Sequence, residues 1–222
     1  MPGLVAPTER VMTNSKSRPG AAGDLRSRLR TATAAAHARL DAKLGRLDLR
    51  RLPDYRLFLE MHAAVVPPLE AALARSGVER LFPDWADRSR SSDLRDDLYC
   101  VGGAEHPASV VRRFDDGGMI GAMYVLEGSR LGARFLLRTV LESGDPAVTG
   151  ATEYLRHGEG LPLWPSFLAL IERHAGEPGD ASRAIGAAHY VFDLFERQAA
   201  KLDASLDAKL ATRLAAAPAS AG

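Results

Sequence analysis

A histidine and an aspartate one helical turn apart mark the segment RTATAAAHARLD, residues 30–41. In a helix, His37 and Asp41 lie on one face, where the carboxylate can accept one ring N–H and leave the other nitrogen for a metal ion. Alanines flank His37 on both sides, so a flat ligand has room against the imidazole. Arg30, two turns earlier on nearly the same face, can meet an anionic edge of that ligand. Spacing alone favours the other interpretation, a buried or partly buried histidine satisfied by Asp41, without any ligand.

Three glycines interrupt the second notable segment, GAMYVLEGSRLGARFL, residues 121–136. Each costs a helix about 1 kcal/mol relative to alanine, so three in one helix call for an explanation. Gly128 and Gly132 are four residues apart and expose a bare strip of backbone on one face. Such a strip suits close helix packing or the close approach of a ligand, and glycine also permits a kink. Ser129 adds a hydroxyl beside the strip.

Other chemistries find little support in the sequence. The remaining histidines are scattered, and the Glu-x-x-His pairs of di-iron bundles, Gly-rich phosphate loops and zinc-protease helices are absent. Ser129 lacks the glycine two positions earlier that a nucleophile elbow requires. The single cysteine, Cys100, excludes an intramolecular disulfide or a cysteine metal cage and favours a cytoplasmic protein.

Composition narrows the class of partner. The 222 residues carry 29 Lys and Arg against 28 Asp and Glu, a net charge of +1 that provides no basic field for nucleic acid. We expect neither a signal peptide nor a membrane span, because no continuous apolar run is long enough. Residues 1–22 and 215–222 lack a periodic apolar pattern, and we expect disordered tails around a single domain, 23–214.

The elements that must position these residues all have helical periodicity. The first helix is predicted around the stripe from Leu25 to Leu44, with Asp24 as N-cap. A second is expected from Pro53, kinked or divided by Pro67 and Pro68. Further helices are predicted over 92–100, from Pro107, over 118–141 with little solvent-exposed surface, over 164–174 and over 180–214. The sequence predicts an all-α, single-domain helix bundle.

Two of these segments resemble a known family. LRTATAAAHARLD, residues 29–41, resembles the proximal helix of bacterial heme oxygenases, and GAMYVLEGSRLGARFL resembles their distal helix, especially in the form found beside bacteriophytochromes. Weaker similarities at 53–70, 164–172 and 187–196 extend the match in order over most of residues 24–200. The resemblance implies the heme oxygenase type of bundle, with heme between a proximal helix and a kinked distal helix.

The resemblance also assigns roles. His37 becomes the axial iron ligand, with Asp41 as its hydrogen-bonding partner. Gly128 and Gly132 form the backbone over the opposite heme face, and Ser129 stands where some relatives use an aspartate to organise distal water. The predicted propionate partners are Arg30, Tyr124 and Arg130. Ala133 replaces a glycine common in the family, which we expect to affect turnover and the choice of cleaved carbon more than heme binding.

The implied reaction uses heme b as both cofactor and substrate. With O2 and electrons from an external reductant, such as a ferredoxin or a flavoprotein reductase, the ring opens to biliverdin, CO and Fe2+. A bacteriophytochrome would then be the biliverdin acceptor, although iron acquisition is the other use of the same reaction. A non-catalytic heme carrier or sensor, and a helical interaction module without cofactor, are the alternatives from other functional classes.

Overall fold

The structure is a computed structural model that describes residues 21–104, 107–174 and 179–216. These residues form ten α-helices and a 3-10 turn, and none of them forms a β-strand, so the all-α prediction is confirmed for the described chain. The helices are α1 (Ala21–Leu44), α2 (Leu52–Ala63), α3 (Val66–Arg75), α4 (Trp85–Arg88), α5 (Ser91–Cys100), α6 (Asp116–Leu141), α7 (Pro146–Thr149), α8 (Glu153–Arg156), α9 (Leu163–His174) and α10 (Asp180–Ala216).

Most predicted helices are present within two residues of their expected bounds. The chain divides before Pro67 as predicted, and the prolines occupy the first turn of α3, where proline is tolerated. Two details were wrong. No helix begins at Pro107, since residues 107–115 are non-helical. Asp24 is not an N-cap, because α1 already begins at Ala21.

The predicted tails lie almost wholly outside the described residues. Helix α1 begins two residues inside the N-terminal tail expected over 1–22, and α10 ends two residues inside the C-terminal tail expected over 215–222. The disorder of both tails therefore stays a prediction.

The core is organised around α6 and α10, which pack along each other over much of their length. A side chain at Gly117 would bring its Cβ within 3.2 Å of the Asp180 carbonyl oxygen. At Gly121 the added Cβ would lie only 1.9 Å from the Ala184 carbonyl oxygen. Both helices advance by four residues between these contacts, so they run in the same direction. Gly121 therefore serves the packing of α6 against α10.

Helix α6 has two different halves. Residues 117–127 are almost entirely buried, as the sequence predicted. The later half is not, because Leu131 is 43% exposed and Phe135 is 70% exposed. The expectation of little solvent-exposed surface was therefore wrong for this half, where Gly128, Leu131, Gly132 and Phe135 share one helical face.

One stretch, Leu52–Arg75, is long and apolar enough to cross a membrane by length and composition alone. It comprises α2 and α3, and 67% of its apolar window is buried inside the protein, as in a core helix of a soluble protein.

Two buried titratable groups act on stability in opposite directions. Burial lowers the pKa of His62 to about 4. Burial raises the pKa of Asp97, whose carboxylate accepts the backbone N–H groups of Glu153 and Tyr154 at 3.1 and 2.8 Å, to about 6. As pH falls from 6.5 to 4, the unfolded chain takes up a proton at His62 that the folded chain does not, which destabilises the fold. Over nearly the same range, the folded chain takes up the proton at Asp97, which stabilises it.

We expect Asp97→Asn to reveal the contribution of His62. Without the compensating aspartate, the free energy of unfolding should fall more steeply between pH 6 and 4, by up to about 1.4 kcal/mol per pH unit relative to wild type. His62→Leu should change the slope in the opposite direction. Urea unfolding of the three proteins at half-unit pH steps measures these slopes, and parallel curves would contradict the assignment.

Candidate functional site

Helix α1 packs through one face and presents its neighbouring face to solvent. Its buried positions are Leu25, Leu29, Thr33 and Ala36, spaced by three or four residues as an amphipathic helix requires. His37 follows the last of these at the edge of the buried stripe. The sequence pattern that fixes the packing face thus also turns the imidazole away from the core.

His37 is oriented by Asp41. The ring Nδ1 lies 2.7 Å from the Asp41 Oδ2, and the two side chains are 64% and 63% exposed. The edge of the ring also contacts Phe192 of α10, with the ring centroids 6.0 Å apart. When Nδ1–H donates to the carboxylate, Nε2 keeps its lone pair for a ligand.

The exposure of this pair argues against one of the two interpretations that the sequence left open, the core histidine. A core histidine with a structural partner would be buried, and His37 is not. Exposed ion pairs contribute little to stability. The pair is therefore better suited to presenting the imidazole nitrogen than to holding the fold together.

Gly128 and Gly132 border open space. A Cβ added at either glycine would meet no atom of the described chain within 4 Å. This differs sharply from Gly121, so the glycines of one helix divide into a packing group and an open group. The open space is what close approach of a ligand to the backbone requires. Helix α6 continues through both glycines, and the expected kink stays a prediction.

His37 and the open glycines lie at similar levels along α10. Starting from the contact between Gly121 and Ala184, Gly128 is reached after about 10 Å along α6, and Phe192 after about 12 Å along α10. Phe192 is the residue whose ring contacts His37. Helices α1 and α6 both pack against α10 and α9, but make no extended contact with each other among the described residues. This arrangement suits a cleft between α1 and α6, with α10 as its floor.

The two predicted propionate residues outside the core differ in their surroundings. Arg30 is exposed on α1, two turns before His37. Tyr124 is half-buried and packs near Trp164 of α9, with ring centroids 6.2 Å apart. The guanidinium of Arg26 lies 5.9 Å from the centroid of the same Trp164 ring. Trp164 thus joins α1 to α6 at one end of the arrangement.

Arg130 does not fit its predicted role. Its side chain is only 11% exposed, and its Nε lies 3.2 Å from the Oε1 of Glu127, which is fully buried. The guanidinium also donates to the Arg88 carbonyl. Because its donors are bound within the protein, Arg130 braces the core side of α6 and is corrected to a structural residue.

Ser129 and Ala133 are also placed differently from the expectation. The Ser129 hydroxyl donates to the Leu126 carbonyl at 2.7 Å and accepts from Arg90 at 2.6 Å, so its proton is not free to organise distal water. Ala133 is 6% exposed and belongs to the core. Its methyl group therefore points away from the open face and does not narrow it.

Sequence reasoning missed a buried polar cluster behind α6. The Arg88 Nη1 lies 3.1 Å from the Glu127 Oε2, with both side chains at most 1% exposed. Arg90 is buried nearby against Ser129 and Leu126. Glu127 carried a signal, because an acid inside an apolar helix must find a partner. Arg130, three residues later, is a partner that helical spacing could have indicated, whereas Arg88, far away in sequence, carried no signal.

No family model matches the chain. A heme oxygenase of Xanthomonas campestris pv. campestris (strain 8004) is 28% identical over 142 residues, which is 64% of this chain and 86% of the relative. Among solved structures, the NO- and CO-bound heme oxygenase of Neisseria meningitidis superposes with a TM-score of 0.63 and 19% identity, covering 80% of this chain and 90% of that chain.

The chain is an all-helical bundle with the heme oxygenase fold. On this fold it carries an exposed histidine oriented by an aspartate and a helix lined by glycines. The sequence relative and the structural neighbour are both bacterial heme oxygenases, the family that the two sequence segments resemble. The predicted fold class and the resemblance to bacterial heme oxygenases are confirmed, while the bacteriophytochrome-associated form stays a prediction.

Proposed function

We propose that this protein is a heme oxygenase that binds heme in the cleft between α1 and α6, with His37 as the axial ligand. Its products are biliverdin, CO and Fe2+. The observation that carries the proposal is the exposed His37–Asp41 pair at the level of two glycines that border open space. The heme oxygenases found in sequence and in structure support the same reaction.

The residues present fit a heme on three counts. A neutral imidazole with one nitrogen hydrogen-bonded to a carboxylate is a common iron ligand. Gly128 and Gly132 leave space in which a flat macrocycle can approach the backbone. Leu131 and Phe135, exposed on the same face, offer apolar contacts to it. When bound, heme supplies the iron that activates O2 and is itself the molecule oxidised.

The protein's own contribution is orientation. Asp41, 2.7 Å from Nδ1, holds the imidazole in the tautomer that leaves Nε2 available to iron. The bare backbone over Gly128 and Gly132 keeps side chains away from the opposite side, where O2 and a water molecule need room. Since the Ser129 proton is bound to Leu126, we infer that a water held by backbone groups is the proton source. Arg30 is the propionate partner that we retain.

Electrons come from a separate protein in this proposal, a ferredoxin or a flavoprotein reductase. The single cysteine of the sequence supports this, because it cannot hold an iron–sulfur cluster. It also supports a cytoplasmic location. The resemblance of the distal segment to enzymes found beside bacteriophytochromes supports such a photoreceptor as the biliverdin acceptor.

One titration tests the function. Purified protein is titrated with hemin until the Soret band saturates, and ascorbate or a reductase system is added under air. We expect one hemin per chain, decay of the Soret band and growth of biliverdin absorbance. A stable Soret band without biliverdin would show a carrier or sensor, and absence of stoichiometric binding would overturn heme binding altogether.

Arg30 is tested in the same assay. We expect Arg30→Glu to weaken hemin affinity by about tenfold, because an attractive contact with a carboxylate becomes repulsive. The matched control is Arg28→Glu on the same helix. Equal affinity of the Arg30 variant and wild type would dismiss the propionate assignment.

A further inference from the structure

The part of α6 that carries the open glycines is supported by the protein on its core side alone. Gly128 and Gly132 each weaken a helix by about 1 kcal/mol relative to alanine, and no atom of the described residues lies within 4 Å of a Cβ added at either one. A segment that must meet a rigid ligand at a fixed distance therefore needs support from its other side.

Arg90, which directly precedes α5, reaches this segment from the core. It is only 2% exposed. Its Nη2 donates to the Ser129 Oγ at 2.6 Å and lies 3.4 Å from the Leu126 carbonyl oxygen. The Ser129 hydroxyl donates to the same carbonyl at 2.7 Å. A single guanidinium thus contacts a side chain and a backbone group of the turn that contains Gly128.

The guanidinium is itself fixed in place. It lies 4.7 Å from the centroid of the Tyr154 ring, within cation–π range. The Arg90 backbone N–H donates to the Glu70 Oε1 at 3.0 Å. Its Nε, however, is buried without a hydrogen-bond acceptor among the residues that the structure describes. Burying an unpaired donor costs stability. The contacts of this arginine with α6 are therefore what offsets that cost.

We propose that Arg90 is a positioning residue that sets the angle at which the glycine face of α6 meets the ligand; this inference rests on the proposed function. A serine bonded to a carbonyl one turn earlier bends a helix. Arg90 locks the Ser129 hydroxyl in that arrangement and pulls on the same Leu126 carbonyl. The local geometry of the distal helix is thus set by Arg90 and Ser129 together, in addition to the freedom that the glycines allow.

Hydrogen exchange on the hemin-free protein tests the brace directly. Arg90→Met keeps the volume but removes every donor. We expect amides of residues 128–133 to exchange about tenfold faster, the approximate effect of losing one hydrogen bond, while amides of 117–125 keep their protection. Ser129→Ala should produce the same local change, and the double variant should add little to either. Ser129→Thr, which keeps the hydroxyl, should resemble wild type.

The isomer composition of the biliverdin product tests the positioning role. Arg90→Met should bind hemin within about threefold of wild type, since it leaves His37 and the open space intact, but should give an altered mixture of biliverdin isomers. Arg90→Lys should partly restore the wild-type mixture. The control is Arg56→Met, which removes a 2.7 Å bond from Nε to the Val101 carbonyl without touching α6; it should change neither 128–133 exchange nor isomer composition.

The failures of the two proposals can be told apart. If wild type makes no biliverdin, the proposed function fails, and the exchange data alone decide whether Arg90 braces α6. If wild type makes biliverdin but the Arg90 variants lose protection evenly over all helices, or leave both exchange and isomers unchanged, the positioning role is overturned.

Discussion

His37→Ala should abolish the conversion of heme to biliverdin while leaving the hemin-free fold intact. The side chain is 64% exposed and its partner Asp41 is 63% exposed, so the substitution opens no core cavity. Alanine is also the better helix former. Loss of a residue that merely orients a metal ligand typically lowers affinity by about 10–100-fold. Loss of the ligand itself should therefore reduce hemin affinity by at least about 100-fold.

Absorption spectra of the hemin complex and thermal unfolding of the hemin-free protein together test this prediction. The variant should lose the spectrum of an imidazole-ligated heme, keep the wild-type melting temperature, and recover ligation when imidazole is added, since truncation leaves room for it. Axial ligation that persists in His37→Ala without added imidazole would assign the iron to another residue.

A matched control is available in another His–Asp pair. The His157 Nδ1 lies 2.6 Å from the Asp93 Oδ2, with side chains only 14% and 28% exposed. The His157 Nε2 is also engaged, 3.1 Å from the Asp87 carbonyl oxygen. With both ring nitrogens in use, His157 has none for iron. We expect His157→Ala to lower the melting temperature and to leave hemin ligation unchanged, the reverse of His37→Ala.

Substitutions at two glycines of α6 should have opposite effects. Gly121→Ala would place its Cβ 1.9 Å from the Ala184 carbonyl oxygen and 2.8 Å from the Ala184 Cα, so α6 and α10 must separate. Overpacking of a core typically costs about 1–3 kcal/mol, and a backbone clash this close should reach the upper end. The variant should unfold at much lower urea concentration.

Gly132→Ala should instead stabilise the hemin-free protein by about 0.5–1 kcal/mol, because the added methyl meets no atom of the described part of the chain within 4 Å and the helix gains propensity. Gly132→Leu should keep a folded protein but fill the open space and weaken hemin binding, by about tenfold or more if the lost contact is worth over 1.4 kcal/mol. Urea unfolding and hemin titration separate the two effects. Unchanged hemin binding by Gly132→Leu would show that the ligand does not lie over this face.

Several elements were predictable because their signals are local. The prolines at 67 and 68 divide α2 from α3 whatever surrounds them. Apolar periodicity over 118–141 is long enough to specify α6 with little ambiguity. The same holds for α10, whose predicted start at Asp180 is correct.

The wrong or missing elements depend on distant contacts. Helix α8 is four residues long. Its first N–H groups donate hydrogen bonds to the Asp97 carboxylate of α5, a partner that no local pattern reveals. The segment after Pro107 was expected to be helical. Its Ser109 N–H instead donates to the Ala64 carbonyl at 2.9 Å, and Arg112 stacks 5.0 Å from the Tyr190 ring centroid. These tertiary contacts hold the segment in a non-helical conformation.

In the candidate site, too, local features were predictable from the sequence and features that depend on distant contacts were not. The sequence by itself determined that His37 and Asp41 share a helical face and that Gly128 and Gly132 share another, because helical periodicity is a property of the local chain. Only the tertiary structure decided that the histidine is exposed, that Gly121 packs while the other two glycines stay open, and that Arg130 and Ser129 are bound to partners in the core. The physical reason is that burial and hydrogen-bond partners depend on which helix lies opposite, and spacing along one chain does not contain that information.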